Sequence, residues 1–190
     1  MATENGIRLF LGIPLSEETR DSLEEVYGRY ASEWDWKWTS PELYHITVYF
    51  FGEVPVERLP NMIALLQLAL KDGILPPFVF DRYTYAPSKR EARMLWAKYH
   101  KTEAFKLLVQ KIHNLYQQID PKIQIRKSPI PHVTLARFRE KAALTRFPIQ
   151  KLPPPPNILP VNQIILWKSV LMASGPKYEE IVNFPLSSFR

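Results

Sequence analysis

Tyr44-His45-Ile46-Thr47-Val48-Tyr49-Phe50 is a strand-like run that carries a titratable ring where a half-buried strand needs none, and Pro131-His132-Val133-Thr134-Leu135 repeats it. Side chains two apart on a strand share a face. His45 with Thr47, and His132 with Thr134, therefore each present an imidazole beside a hydroxyl, while Ile46, Val48, Val133 and Leu135 point the other way. The chain has four His and eight Thr. Two of those His would stand two residues before a Thr by chance in roughly 1 of 100 sequences of that composition. The repeat reads as two copies of one functional device.

Working outward, 190 residues with 46% hydrophobic and 23% charged side chains suffice for a core over 1–190, as one domain or as two intimately joined lobes. Zero cysteines exclude a disulfide framework and thiolate zinc sites. The start Met1-Ala2-Thr3-Glu4-Asn5 has neither the basic nor the apolar region of a secretory signal, so a cytoplasmic location is expected. No apolar run approaches the roughly 20 residues that span a bilayer, and no membrane partner is expected. The net charge of +6 favours an acidic ligand.

In chain order, Ile7–Ile13 reads as a buried strand stopped by Pro14, and Ser16 as the cap of a helix whose stripe is Leu23, Val26, Tyr27 and Tyr30. Trp34, Trp36 and Trp38 alternate next. Packing against the sheet is the expected use of these rings, with base stacking as the alternative. The first His-x-Thr strand should end near Gly52, before a helix marked by Leu59, Met62, Ile63, Leu66 and Leu70. Strands at Phe78–Tyr85 and Arg93–Tyr99 flank a polar loop in which Lys89 and Arg90, with Arg93, are candidates to meet phosphate, a solvated turn being the alternative, and Arg126 and Lys127 are candidates further on. Thr102 caps a third helix with the stripe Phe105, Leu108, Val109, Ile112, Tyr116 and Ile119, stopped by Pro121. His113 beside that stripe reads as a packing residue and His100 as exposed. Lys141–Pro160, with four consecutive prolines at 153–156, reads as a surface crossover or lid. Gln163–Met172 and Tyr178–Pro185 read as closing strands.

The halves repeat. Arg8-Leu9-Phe10, helix, His45 is echoed by Arg93-Met94-Leu95-Trp96, helix, His132, with arginine-to-histidine offsets of 37 and 39. Such a duplicated strand–helix–strand unit would turn the two histidines toward one another across a groove. Imidazole titrates near pH ~6.5, so one ring can accept a proton while its twin donates one. Opening a phosphodiester needs that pair, a base for water and an acid for the leaving alkoxide. The Thr47 and Thr134 hydroxyls can hold the non-bridging oxygens. Two imidazoles without a cysteine or carboxylate in either motif are too few ligands for zinc, so no metal is expected.

These residues resemble the two-histidine phosphoesterases, and among them the LigT-type RNA 2′,3′-cyclic phosphodiesterases, also called 2′-5′ RNA ligases. The likeness runs through Arg8-Leu9-Phe10, His45 to Gly52, Leu95-Trp96-Ala97, His132 to Arg137, Leu166 to Ser169 and Gly175 to Tyr178. It implies an α+β, bilobal, duplicated fold with two antiparallel sheets lining a central cleft and helices outside. The implied reaction is metal-independent hydrolysis of RNA 2′,3′-cyclic phosphate ends to 2′-phosphate, with reversible 2′-5′ joining left open. By position in the family, His45 is the proton donor, His132 the proton acceptor, and Arg137 a phosphate contact beside Thr47 and Thr134. Strict alternation, however, puts Arg137 on the face opposite His132 unless the strand bulges between them. The implied partners are RNA ends bearing a cyclic phosphate, such as tRNA halves, met by a monomer without a cofactor. The alternatives are a small cyclic nucleotide such as ADP-ribose cyclic phosphate as substrate, and a basic RNA-binding module with no catalysis.

Overall fold

The computed structural model describes residues 6–71, 73–88, 91–121, 123, 130–138, 147–173 and 175–187. Lys89, Arg90, Arg126 and Lys127 lie outside the described residues, as does the 141–146 part of the proline-rich crossover.

Strand β1 (Gly6–Pro14) is buried from Leu9 to Ile13 because it runs inside a sheet, between β3 (His45–Pro55) and β8 (Gln163–Met172), with β9 (Gly175–Pro185) at the far edge. The second sheet has the order β2 (Lys37–Trp38), β6 (His132–Arg137), β5 (Met94–Tyr99), β4 (Phe78–Ala86), β7 (Ile158–Leu159). Every neighbouring pair in both sheets is antiparallel. The order β3-β1-β8-β9 is matched by β6-β5-β4-β7, so the duplication read from the motifs is a duplication of topology, and β2 is the added edge.

Local chemistry explains the helices. Helix α1 (Glu17–Tyr30) is capped by Ser16, whose Oγ accepts from the Thr19 N–H, and Glu17 and Glu18 sit at its positive end. Helix α2 (Leu59–Leu70) carries Pro60 in its first turn, where a missing N–H costs nothing. In α3 (Glu103–Tyr116), Thr102 Oγ1 accepts from the Phe105 N–H. This helix stops at Tyr116, short of the expected Ile119, which sits in the turn that follows.

One contiguous core takes side chains from both halves, including Leu9, Leu11, Ile46 and Val48 from the first and Leu95, Ala97, Val133 and Leu135 from the second. Each such burial of a Val, Leu or Ile side chain stabilises by about 1.5–3 kcal/mol. Trp34, Trp36 and Trp38 surround the buried Phe147, with ring centroids 5.1, 4.5 and 6.2 Å away, as the packing reading required. The described part of the crossover is fastened to the second sheet: Leu152 is buried, Tyr83 Oη donates to the Pro153 carbonyl at 2.7 Å, and Ile158 pairs with Val79. No residue from 147 to 160 lines the cavity that the two histidines share.

Three departures from the sequence reading matter. The first His-x-Thr strand does not end at Gly52 but continues to Pro55. Gly52, at φ 79°, follows an extra residue, Phe51, that breaks the register against β1, a bulge of the kind a left-handed glycine permits. The β8–β9 hairpin is tighter than expected, with Met172 pairing Gly175. And the two arginines of the apparent repeat are not equivalents: register aligns Gly12 with Trp96 and Phe10 with Met94, so Arg8 falls opposite Ala92 in the alignment, one position from Arg93.

Candidate active site

Both histidines open their strands, and the turn before each supplies a carbonyl. His45 Nδ1 lies 2.8 Å from the Leu43 carbonyl oxygen, and His132 Nδ1 lies 2.6 Å from that of Ile130. A carbonyl only accepts, so Nδ1 carries the hydrogen in both rings and Nε2 is left as the working nitrogen. Thr47 Oγ1 stands 3.1 Å from His45 Nε2. The strands β3 and β6 approach one another across the gap between the sheets. His45, Thr47, His132 and Thr134 all line one cavity of about 460 Å³.

Arg137 lines the same cavity. In the β5–β6 register Trp96 faces Thr134 and Leu95 faces Ala136, so Leu135 is an extra residue that resets the alternation. Leu135 and Ala136 are both buried as a result, and Arg137 returns to the face of His132. On the β2 side, the Leu135 carbonyl accepts from the Thr39 N–H at 2.8 Å. The first half carries the same device: Gly12 faces Thr47 and Leu11 faces Tyr49, leaving Val48 as the extra residue. There the side chain returned to the cavity is Phe50. Strict alternation from the sequence is therefore overturned at both motifs, by a bulge one residue past the threonine.

The rings have different surroundings. His45 is set among Phe10, Trp167 and Tyr178, with centroids at 4.9, 5.6 and 5.3 Å. Desolvation in this shell lowers its pKa to about 4, the Leu43 carbonyl partly opposes that, and the charges of His132 and Arg137 add to it. His132 lies face to face on Trp96, centroids 3.6 Å apart and planes 20° from parallel. Burial lowers its pKa too, the Ile130 carbonyl opposes, and Arg137 adds to the lowering.

The motifs did not reveal the walls. Arg8, Phe10, Lys37, Thr39, Phe50, Met94, Trp96, Ser169 and Tyr178 also line the cavity. Arg8, Phe10, Phe50, Trp96, Ser169 and Tyr178 fall within the stretches that carry the resemblance, which attached no role to them. Lys37 carried no signal, standing between tryptophans that read as packing. Of the other candidates, Arg93 and His100 are exposed away from the cavity. His113 is buried at 2.8 Å from Tyr49 Oη, a packing histidine with a partner. Among the described residues there is no group of three or more His, Cys, Asp or Glu side chains placed to hold a metal ion, and no helix long and apolar enough to cross a membrane.

Residues 13–96 match the model of a family described as LigT like phosphoesterase, a match that takes in the first motif and Trp96. A curated relative from Thermus thermophilus, an RNA 2′,3′-cyclic phosphodiesterase, is 31% identical over 95% of this chain and 90% of its own. Another of the same name from Geobacillus stearothermophilus is 26% identical over 93% of this chain, which spans 56% of that relative's length. A crystal structure of a Thermus thermophilus protein superposes with a TM-score of 0.73 at 29% identity, covering 94% of this chain and 97% of that one.

Proposed function

The chain belongs to the LigT-like phosphoesterase family, and from that premise we propose that it is an RNA 2′,3′-cyclic phosphodiesterase that opens the ring to a 2′-phosphate without a metal. The observation that carries the reading is the pair of imidazoles on one cavity, each with Nδ1 tied to a backbone carbonyl, which leaves Nε2 as the nitrogen for proton transfer, that of His45 beside Thr47 Oγ1. The curated relatives of that name support the substrate class.

In the proposed step, water attacks phosphorus and gives its proton to His132 Nε2 as the P–O3′ bond breaks. His45 Nε2–H protonates the departing O3′. The 2′-ester bond survives, and proton exchange with solvent resets both rings. Each proton transfer is worth about 10²–10⁴-fold. Thr47, Thr134 and Arg137 hold the non-bridging oxygens as charge builds on them. In the free protein both rings favour the neutral form at pH 7. An incoming phosphate offsets the charge of Arg137 and adds its own, and so raises the proton affinity that His45 needs to act as the acid. In the same step, a 5′-hydroxyl that attacks phosphorus in the place of water and gives its proton to His132 yields 2′-5′ joining.

Incubating a nucleoside 2′,3′-cyclic phosphate with the protein in EDTA tests this, with ³¹P NMR to identify the product. The expected product is the 2′-phosphate, formed at an undiminished rate. A 3′-phosphate product, or a rate restored only by a divalent ion, would overturn the mechanism. Absence of turnover would leave a binding module as the better reading.

A further inference from the structure

The cavity lining holds three fixed cations, Arg8, Lys37 and Arg137, and no carboxylate. A cyclic phosphodiester brings one negative charge, so the substrate group already assigned leaves most of that field unanswered. The three cations are not alike. Arg8 sits 4.9 Å over the Phe50 ring and faces Glu53 directly across the β1–β3 pair. Lys37 and Arg137 instead face each other across β2–β6, like charges at directly opposed positions, an arrangement that is destabilising in a sheet. Among the described residues neither has an ion-pair partner, whereas Lys98 on the neighbouring strand β5 and Lys168 on β8 of the other sheet are paired with Asp81 and Glu179. The adjoining hollow behind His45, about 400 Å³, has balanced charge, one Glu42 to one Lys177.

Resting on the reading of the site as a cyclic phosphodiesterase, we propose that Lys37 is a second phosphate site, which takes the phosphate on the 5′ oxygen of the nucleotide whose cyclic phosphate is being opened. Arg137 lies close enough to lower the proton affinity of both histidines and so belongs to the reacting phosphate. Lys37 stands one strand outward, about 4.8 Å away at the backbone. Once the cyclic phosphate is held between the histidines, the nearest further anion of any nucleotide substrate is the 5′ phosphate on the same ribose. An ammonium, a compact charge with rotatable donors, suits a phosphate approached from more than one direction. Two sources share this chemistry: the last phosphodiester of an RNA chain, and the 5′ phosphate or pyrophosphate of a small nucleotide.

The test compares three substrates: adenosine 2′,3′-cyclic phosphate, its 5′-phosphorylated form, and the dinucleotide ending in the same cyclic phosphate. The wild type should prefer the 5′-phosphorylated substrates about tenfold in kcat/KM, mainly through KM, with the preference shrinking as salt rises. Lys37→Gln should remove most of that preference and Lys37→Arg should keep it. Preference for the dinucleotide as well as the monomer assigns the site to RNA ends; preference for the 5′-phosphorylated monomer alone assigns it to a small nucleotide. A wild type indifferent to the 5′ phosphate, or a Lys37→Gln variant that loses activity equally on all three substrates, overturns the proposal. Failure of the wild type to open even the plain cyclic nucleotide would instead sink the enzymatic reading beneath it.

Discussion

The two histidine motifs share one backbone device and differ in nearly everything around it. In both, a carbonyl two residues back fixes the ring and a bulge one residue past the threonine turns a third side chain into the cavity. In the first lobe that side chain is Phe50 and the imidazole is set among Phe10, Trp167 and Tyr178. In the second it is Arg137 and the imidazole lies flat on Trp96. Duplication thus accounts for the position of two equivalent rings, and divergence of their neighbours accounts for their being able to play unequal parts. An acid and a base cannot be distinguished by geometry that repeats, only by what was changed after it repeated.

The hardest blow to this comparison is to delete each ring in turn. His45→Ala and His132→Ala should each cost about 10²-fold or more in kcat with a small change in melting temperature, since a proton transfer and not packing is lost. Near-full activity in either variant would break the pairing. The third position comes next. Arg137→Gln should lower kcat/KM about 10–100-fold, the worth of a charge-assisted hydrogen bond, while Phe50→Leu should cost only a few-fold. Equal losses would mean that the bulge does not differentiate the lobes. A smaller effect follows from what faces each threonine, Gly12 in one lobe and Trp96 in the other. A Cβ on Gly12 would come within 2.6 Å of the Trp167 ring and 3.2 Å of His45 Cδ2. Gly12→Ala should therefore push His45 aside, at about tenfold in kcat, and an unaffected kcat would show that its ring is not held by this wall.

The smallest expected effect is a displacement of the pH profile. Both imidazoles have proton affinities below the ordinary value in the free protein, His45 with a pKa of about 4. The singly protonated pair that acid–base catalysis needs is then most populated below pH ~6.5, and it declines about tenfold per unit above the higher of the two apparent pKa values. The maximum of kcat/KM should lie in that acid range. The alkaline limb of kcat should sit higher by about one unit, because the bound phosphate favours the charged ring. Coincident limbs in the two profiles would show that the substrate does not tune the pair.

How far the sequence could be read divides along physical lines. Helix caps at Ser16 and Thr102 and the apolar alternation of the motif strands are local signals, and the elements they mark are present. The bulges are not local signals. Leu135 and Val48 are ordinary strand residues whose extra place in the register exists only against Leu95–Trp96 and Leu11–Gly12 across the ladder, so the face of Arg137 was illegible. Gly52 misled in the other direction: a left-handed glycine marks a turn as readily as a bulge, and here it is a bulge. The repeated arginines misaligned the halves by one residue for the same reason, because offsets counted along the chain ignore register. Trp96 and Lys37 were missed because nothing in a single sequence says which ring an indole will cover or which strand will run beside a two-residue edge.

The division of labour between the lobes is tested most directly by replacing the leaving O3′ with sulfur, since a thiolate departs without a proton and makes the acid dispensable while leaving the base essential. On the 3′-S-bridged 2′,3′-cyclic substrate, His45→Ala should recover to within about tenfold of the wild type, whereas His132→Ala should remain down by about 10²-fold or more. Recovery of His132→Ala instead would exchange the two roles, and recovery of neither would contradict acid–base catalysis by the pair.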